Sequence, residues 1–279
     1  MKHNFSSSVA ALALTLGAVV VLPARATSQT PPPMAGAYAN VIPIPVDDPA
    51  IKAIAGALFK PEGAGPFPGV VYMSGCSGLD NAPEFALERN VIDHLLAKGV
   101  AVLIVDPFTP RNEPHGVCKD LSKDTFVKYA TRGGNDAAAA VKTLAAMPDI
   151  DPKRVFLQGY SFGAISSLFA ADPKTPSAHD AKIAGLIAYY PYCWDTIEFS
   201  APTIVLIGEK DDWTPAKLCQ AVKGKPNLEE VDVFPGAFHA FVMPMGEPVD
   251  YLGHHIAFDV QDTLDAERAA DSFLAKHLK

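Results

Sequence analysis

The stretch RVFLQGYSFGAISSLFAA, residues 154–171, decides the fold of this 279-residue chain. It begins with an apolar run typical of a buried strand, passes through Gly159-Tyr160-Ser161-Phe162-Gly163, and ends in a segment of helical composition. A strand, the pattern G-x-S-x-G and a helix, in this order, predict a sharp turn that exposes a serine hydroxyl above a sheet. Side chains at Gly159 or Gly163 would crowd that turn. Ser161 is therefore the candidate nucleophile.

Strand and helix patterns alternate on both sides of this stretch. We predict strands at residues 51–59, 69–74, 100–106, 154–158, 183–190, 202–207 and 230–234. Several of them are continuous apolar runs, which are typical of parallel strands covered on both faces. Helical patterns occupy residues 87–96, 135–147 and 266–278. The alternation predicts an α/β fold with a doubly wound sheet, whose functional residues gather beyond the carboxyl ends of the strands.

The composition limits the class of function. Hydrophobic residues make up 49% of the chain and charged residues 19%, as in ordinary globular proteins. The net charge of −8 and the lack of a polybasic run argue against nucleic acids and anionic membrane surfaces as partners. The four cysteines form no C-x-x-C pair and have no nearby histidine at metal-ligand spacing, so neither a metal nor a cofactor is predicted. A soluble enzyme or binding protein remains.

The first 26 residues are predicted to be a signal peptide. A positively charged start precedes an apolar run from Val9 to Leu22 and the small-residue site Ala24-Arg25-Ala26. The run is short for a hydrocarbon core of about 30 Å, although an uncleaved membrane anchor is the alternative. Cleavage after Ala26 would give a periplasmic or secreted protein free of the membrane. Residues 27–49 are predicted to be a linker or edge segment, and residues 50–279 the folded domain.

A serine nucleophile needs a base, and the base needs a group that orients it. The sequence IGEKDDWTP, residues 207–215, continues directly from a predicted strand and places Asp211 in the turn that follows. Asp212 is the alternative acid. The sequence FPGAFHAF, residues 234–241, follows the last predicted strand and supplies His239. The chain order serine, acid, histidine is the one expected after this type of turn, so Ser161, Asp211 and His239 form the predicted triad.

Oxyanion donors and pocket residues are also predicted beyond strand ends. The glycine-rich loop SGCSGL, residues 74–79, follows the strand at 69–74, and we assign the donors to the backbone N–H groups of Cys76 and Phe162. The alternative, Cys76 as nucleophile, lacks the surrounding turn pattern. Tyr160 and Trp213 are candidates for the substrate pocket. Tyr192 and Phe108 are further candidates.

These four motifs together resemble those of the dienelactone hydrolase family of α/β-hydrolases, over about residues 50–278. The resemblance implies an α/β-hydrolase fold with a mostly parallel eight-stranded sheet and helices on both faces. It also implies hydrolysis of a small-molecule ester or lactone through an acyl-enzyme. The strand order of the family brings Cys76 close to Cys118 and Cys193 close to Cys219, which predicts two disulfides. A peptidase or acyltransferase would use the same triad, and a non-catalytic binding protein could keep the same fold.

The sequence also departs from the family in three places. The namesake enzymes have a cysteine nucleophile where this chain has Ser161, and an oxyanion-loop glutamate where it has Gly75. Their substrate-binding arginine after the catalytic histidine is missing from residues 240–246. Arg111, in the loop after the strand at 100–106, is the remaining candidate to bind a substrate carboxylate.

Overall fold

The computed structural model describes residues 34–35, 38–176 and 181–279, together with Met1. The predicted signal peptide therefore lies, apart from Met1, outside the described residues. Within these ranges, no helix has the length and apolar character needed to cross a membrane.

Eight strands form one sheet in the described part of the chain. They are β1 (Val41–Pro45), β2 (Ala53–Phe59), β3 (Phe67–Met73), β4 (Ala101–Asp106), β5 (Ile150–Tyr160), β6 (Leu186–Tyr189), β7 (Thr203–Gly208) and β8 (Leu228–Phe234). Their order is β1-β2-β4-β3-β5-β6-β7-β8. β2 pairs antiparallel with β1 and β4, and every other pair is parallel. The predicted fold class, a mostly parallel eight-stranded sheet, is confirmed.

Helices cover both faces of this sheet. In the described residues they are α1 (Ala82–Ala97), α2 (Phe126–Ala145), α3 (Phe162–Ala171), α4 (Ala216–Gln220) and α5 (Val260–His277), and a 3₁₀ turn lies at Thr109–Arg111. In β3, Tyr72 contacts α1 through Glu84, whereas Gly69 lies against Leu144 of α2. Alternate residues of a strand point to opposite faces, so α1 and α2 lie on opposite sides. α5 packs beside α1, where His94 Nε2 lies 2.9 Å from Asp271 Oδ1.

Helix α2 begins nine residues before the predicted helical pattern. Gly133 and Gly134 lower the helical propensity of this first half, and their role is in packing. A Cβ atom at Gly134 would lie 2.8 Å from the Cβ atom of Phe169 in α3, and one at Gly133 would lie 2.1 Å from Ser166 Oγ. The two glycines therefore let α2 approach the helix that follows Ser161.

Two sheet elements were not predicted as strands. β1 contains Pro43 and Pro45, and it pairs on one side only, with β2 at the edge of the sheet. Proline is tolerated there because an N–H group on the unpaired side has no ladder partner to lose. The other element is a hairpin of β9 (Val249–Tyr251) and β10 (His254–Ile256), whose strands of three residues are too short to show a pattern.

Candidate active site

Ser161 occupies a strained turn between β5 and α3. Its φ of 51° and ψ of −116° lie in a region that L-residues rarely adopt. A Cβ atom at Gly159 would lie 2.4 Å from the carbonyl oxygen of Gly163, and one at Gly163 would lie 2.1 Å from that of Met73. Both glycines are therefore required for the turn, as the sequence pattern predicts.

The structure brings the three predicted triad residues into one hydrogen-bonded chain. Ser161 Oγ lies 2.9 Å from His239 Nε2, and His239 Nδ1 lies 2.8 Å from Asp211 Oδ2. His239 is only 3% exposed. The competing carboxylate, Asp212, has a side chain that is 53% exposed and pairs with His254 instead. Of the two neighbouring aspartates, Asp211 is the one that contacts the histidine.

Both oxygens of the buried Asp211 carboxylate accept hydrogen bonds. Its Oδ1 accepts hydrogen bonds from the backbone N–H groups of Trp213 (3.0 Å) and Thr214 (2.7 Å). Its Oδ2 accepts one from the Thr214 hydroxyl (2.8 Å) in addition to the bond with His239. Donors of this kind stabilise a buried anion and fix its orientation. The sequence analysis did not single out Thr214, although an aspartate followed by a threonine three residues later is a recognisable turn pattern.

The two predicted oxyanion donors lie beside the serine. Phe162 is the first residue of α3, so its N–H group has no partner within the helix. Throughout the described ranges, neither this N–H nor that of Cys76 has a hydrogen-bond acceptor. The loop that carries Cys76 is close, since a Cβ atom at Gly75 would lie 3.8 Å from Ser161 Cβ. Within the described residues, therefore, no intramolecular hydrogen bond uses the N–H group of Cys76 or that of Phe162.

Two mostly apolar cavities meet at Ser161. The first, of about 350 Å³, is lined by Cys76, Leu121, Ser122, Lys123, Phe126, Ser161, Phe162, Ile165, Tyr192, Trp213 and Thr214. The second, of about 360 Å³, extends from Ser161 and His239 past Tyr190 to the β9–β10 hairpin, with Met243, Met245, Tyr251 and Ile256 in its wall. Trp213 contributes to both cavities, and its ring lies 5.1 Å from that of His239. An ester could place one substituent in each cavity.

The remaining pocket candidates lie in different places. Trp213 and Tyr192 line the first cavity. Tyr160 borders the second cavity, but its ring is buried and stacks on Tyr189 at 4.5 Å, while its hydroxyl accepts from Gln158. Phe108 is buried in the apolar cluster behind the first cavity and lines neither one.

The prediction that Arg111 binds a substrate carboxylate is wrong. Its guanidinium donates to both carboxylate oxygens of Asp136 (2.8 and 2.9 Å) and to Asp48 (2.9 Å). Its side chain is 6% exposed and lines neither cavity. The two carboxylates hold Arg111 inside the fold, so the structure does not bring it to the site.

A buried carboxyl group lies behind the oxyanion loop. Glu84 of α1 is fully buried, and the Tyr72 hydroxyl donates to its Oε1 at 2.6 Å. Burial raises the pKa of Glu84 to about 7. Sequence reasoning did not find this group, because an acidic residue in the first turn of a helix is ordinary.

The two predicted disulfides, Cys76–Cys118 and Cys193–Cys219, are both present. Because the sulfur of Cys76 is bonded to Cys118, it offers no thiolate near Ser161. In this disulfide-bonded form, Cys76 cannot be the nucleophile.

The sequence of this chain matches one family of known proteins. The profile described as "Dienelactone hydrolase family" matches residues 54–277, which is most of the chain. A search of curated proteins finds no match.

Many solved structures share the fold. A putative dienelactone hydrolase from Klebsiella pneumoniae superposes with a TM-score of 0.60 at 18% identity, covering 84% of this chain and 98% of its own. A dienelactone hydrolase-like promiscuous phosphotriesterase from metagenomic libraries gives 0.65 at 18% identity, covering 85% and 98%. Esterase 2 of Thermogutta terrifontis, phosphoramylated by tabun, gives 0.60 at 17% identity, covering 89% and 97%. At these identities the similarity establishes the fold.

Proposed function

The chain belongs to the dienelactone hydrolase family and is a carboxylic ester hydrolase, and from this premise we propose that it cleaves esters or lactones with Ser161 as nucleophile. The observation that carries the proposal is the chain of contacts from Ser161 Oγ to His239 Nε2 (2.9 Å) and from His239 Nδ1 to Asp211 Oδ2 (2.8 Å). This is the geometry required for a base-activated hydroxyl and an oriented base.

The first half of the reaction acylates the serine. His239 Nε2 takes the proton of Ser161 as Oγ attacks the substrate carbonyl carbon, and the N–H groups of Cys76 and Phe162 stabilise the resulting oxyanion. Asp211 stabilises the imidazolium through Nδ1–H. When the tetrahedral intermediate collapses, Nε2 returns the proton to the leaving oxygen. An ester then releases its alcohol, whereas an opened lactone keeps its hydroxyl on the acyl chain.

The second half frees the enzyme. His239 takes a proton from a water molecule, whose oxygen attacks the acyl carbon in the same oxyanion site. Collapse of this second intermediate breaks the bond to Ser161 Oγ, which regains a proton from Nε2, and the carboxylic acid leaves.

The cavities favour small, largely uncharged substrates. Their volumes are about 350 and 360 Å³, and both have mainly apolar and aromatic walls. With Arg111 engaged by Asp48 and Asp136, the residue expected to bind a substrate carboxylate is not at the site. We therefore propose neutral esters and lactones ahead of dicarboxylate lactones.

We also propose that the enzyme works outside the cytoplasm, in the periplasm or after secretion. The features of residues 1–26 support export, and two disulfides are typical of proteins from oxidising compartments.

A substrate panel tests the function. Phenyl acetate, longer aryl esters, a neutral lactone, a lactone carboxylate and a peptide amide are compared by kcat/KM for the native enzyme and Ser161→Ala. We expect ester and lactone turnover that Ser161→Ala abolishes. Preferential cleavage of the peptide, or acyl transfer to an added alcohol in place of hydrolysis, would reassign the same triad to a peptidase or an acyltransferase.

A further inference from the structure

Cys76, in the loop of residues 74–79, has both a proposed role in the reaction and a covalent bond to another part of the chain. Its N–H group is a proposed oxyanion donor, and its sulfur is bonded to Cys118 in the segment before α2. We propose that the Cys76–Cys118 disulfide is a positioning element of the active site, which holds the Cys76 N–H where the oxyanion forms. This inference rests on the proposed function, since it assigns a task within that reaction.

The contacts around the disulfide hold Cys76 from two sides. The N–H group of Val117 donates to the carbonyl oxygen of Cys76 at 2.7 Å, and the disulfide connects the next residue to the Cys76 side chain. Gly116 allows this approach, because a Cβ atom there would lie 2.0 Å from the Cys76 oxygen and its φ is 69°. The carbonyl group and the side chain of Cys76 are thus both tied to residues 117–118.

The disulfide is the one covalent link of the Cys76 side chain to its surroundings, whereas the other end of the loop is held by Leu79 in the main core and by a hydrogen bond from the Asn81 side chain to the Gly78 carbonyl (3.0 Å). Cys76 and Cys118 belong to a small apolar cluster with Phe108, Val117, Ala130, Phe162 and Ile165, separate from the main core. Cys76 lies on the cavity side of this cluster, as part of the wall of both cavities. On its cavity side Cys76 has no packing partner among the described residues, so a shift of its backbone toward the cavity is opposed mainly by the disulfide and by the hydrogen bond from Val117.

A shift of this donor would affect the transition state more than the bound substrate. Oxyanion donors act on the charge that develops during attack, and they need to be placed before the reaction begins. The loss of one such donor lowers kcat by about 10² to 10³. A donor that is displaced but present should cost less, about tenfold.

The second disulfide offers a matched control. Cys193–Cys219 closes 26 residues against 42 for Cys76–Cys118, and its cysteines pack in the main core. Neither of them lines a cavity at Ser161. Removal of either bond should lower stability, but only removal of Cys76–Cys118 should disturb the oxyanion site.

The experiment compares Cys76→Ala/Cys118→Ala with Cys193→Ala/Cys219→Ala in the full mature protein. Residue 76 keeps its backbone N–H in the first variant. We measure kcat and KM for an aryl ester, and Ki for an aryl trifluoromethyl ketone, which forms a tetrahedral adduct with serine. The corresponding secondary alcohol, which forms no adduct, reports ground-state binding alone.

We expect the first variant to lose about tenfold in kcat and to weaken the ketone Ki by a similar factor, with the alcohol Ki unchanged. The control variant should keep all three values within about twofold. A folded first variant with native kcat and ketone Ki would overturn the inference, and so would equal losses for ketone and alcohol. Native activity that depends on Ser161 would uphold the proposed function in either case.

If the first variant does not fold, the control variant supplies the test. It retains only Cys76–Cys118, which a dithiol reagent reduces by giving two electrons and two protons while closing to its own cyclic disulfide. Under native conditions, kcat should fall as two thiols appear and recover upon reoxidation. An unchanged kcat with both thiols present would overturn the proposal.

Discussion

At the scale of single residues, the orientation of the Asp211 carboxylate determines which of two neighbouring aspartates contacts His239. Two backbone N–H groups and the Thr214 hydroxyl fix its carboxylate, so that Oδ2 faces His239 Nδ1. Asp212, one residue further, is half-exposed and points to His254. Sequence order could predict that an acid follows Ser161, but the choice between neighbouring aspartates depends on how the turn at 211–214 folds.

We expect Asp211→Asn to lower kcat by about 10⁴, because an amide cannot hold the imidazole in the required tautomer or stabilise the imidazolium. The matched variant, Asp212→Asn, should retain activity within about twofold. Both are measured by steady-state kinetics with an aryl ester. Equal losses in the two variants, or the larger loss at Asp212, would contradict the assignment.

Trp213 should control substrate size, because its side chain belongs to both cavities. We expect Trp213→Ala to raise the ratio of kcat/KM for a bulky naphthyl ester over phenyl acetate about tenfold, as one removed apolar contact surface can do. Trp194→Ala is the control, since Trp194 packs on Phe169 and lines neither cavity. An unchanged ratio in Trp213→Ala would rule out a role of this ring in selectivity.

At the scale of elements, the sequence predicts what rests on local pattern and misses what rests on tertiary contacts. The strand–turn–helix at Ser161 is predictable because its glycines and apolar run are contiguous. β1 and the first half of α2 are not, since Pro43 and Gly133–Gly134 oppose local propensity and are explained only by an edge position and a neighbouring helix. Arg111 shows the same limit, because its partner Asp136 lies in α2, 25 residues away.

Glu84, one of two buried carboxyl groups of α1, makes stability depend on pH. In the unfolded chain Glu84 ionises near pH 4.5, whereas burial raises its pKa in the folded protein to about 7. Between these values the folded state holds a proton that the unfolded state has lost, so the contribution of Glu84 to stability is fully present below pH 4.5 and is lost as the pH rises to about 7. The full difference corresponds to about 3 kcal/mol.

A rise from pH 5 to pH 8 should therefore lower the free energy of unfolding of the native protein by about 2 kcal/mol more than that of Glu84→Gln. Urea unfolding of both proteins at both pH values measures this difference. The other buried carboxyl groups, such as Glu88, are present in both proteins, so their contributions cancel. The exposed Glu62→Gln serves as control and should show no gain. A flat double difference for Glu84→Gln would mean that this carboxyl titrates normally in the folded state.

At the scale of the whole molecule, the stability that the disulfides contribute depends on the compartment in which the protein folds. Each disulfide should stabilise the fold by about 3 to 4 kcal/mol through its effect on the unfolded chain. That contribution requires an oxidising compartment, which a cleaved signal peptide would provide.

We expect the exported protein to begin at Thr27 and to show no free thiols before reduction and four after it. Intact-mass analysis with and without a thiol-specific alkylating reagent checks both statements. A retained N-terminus from Met1, or free thiols in protein recovered from the periplasm or medium, would contradict this part of the account.

The most direct test of the triad is to locate the residue that reacts with a fluorophosphonate. If His239 and Asp211 activate Ser161, one equivalent of reagent should inactivate the enzyme and be found on the peptide that contains Ser161. Ser161→Ala should take up none. An adduct on any other residue, or full esterase activity after stoichiometric modification of Ser161, would contradict the account.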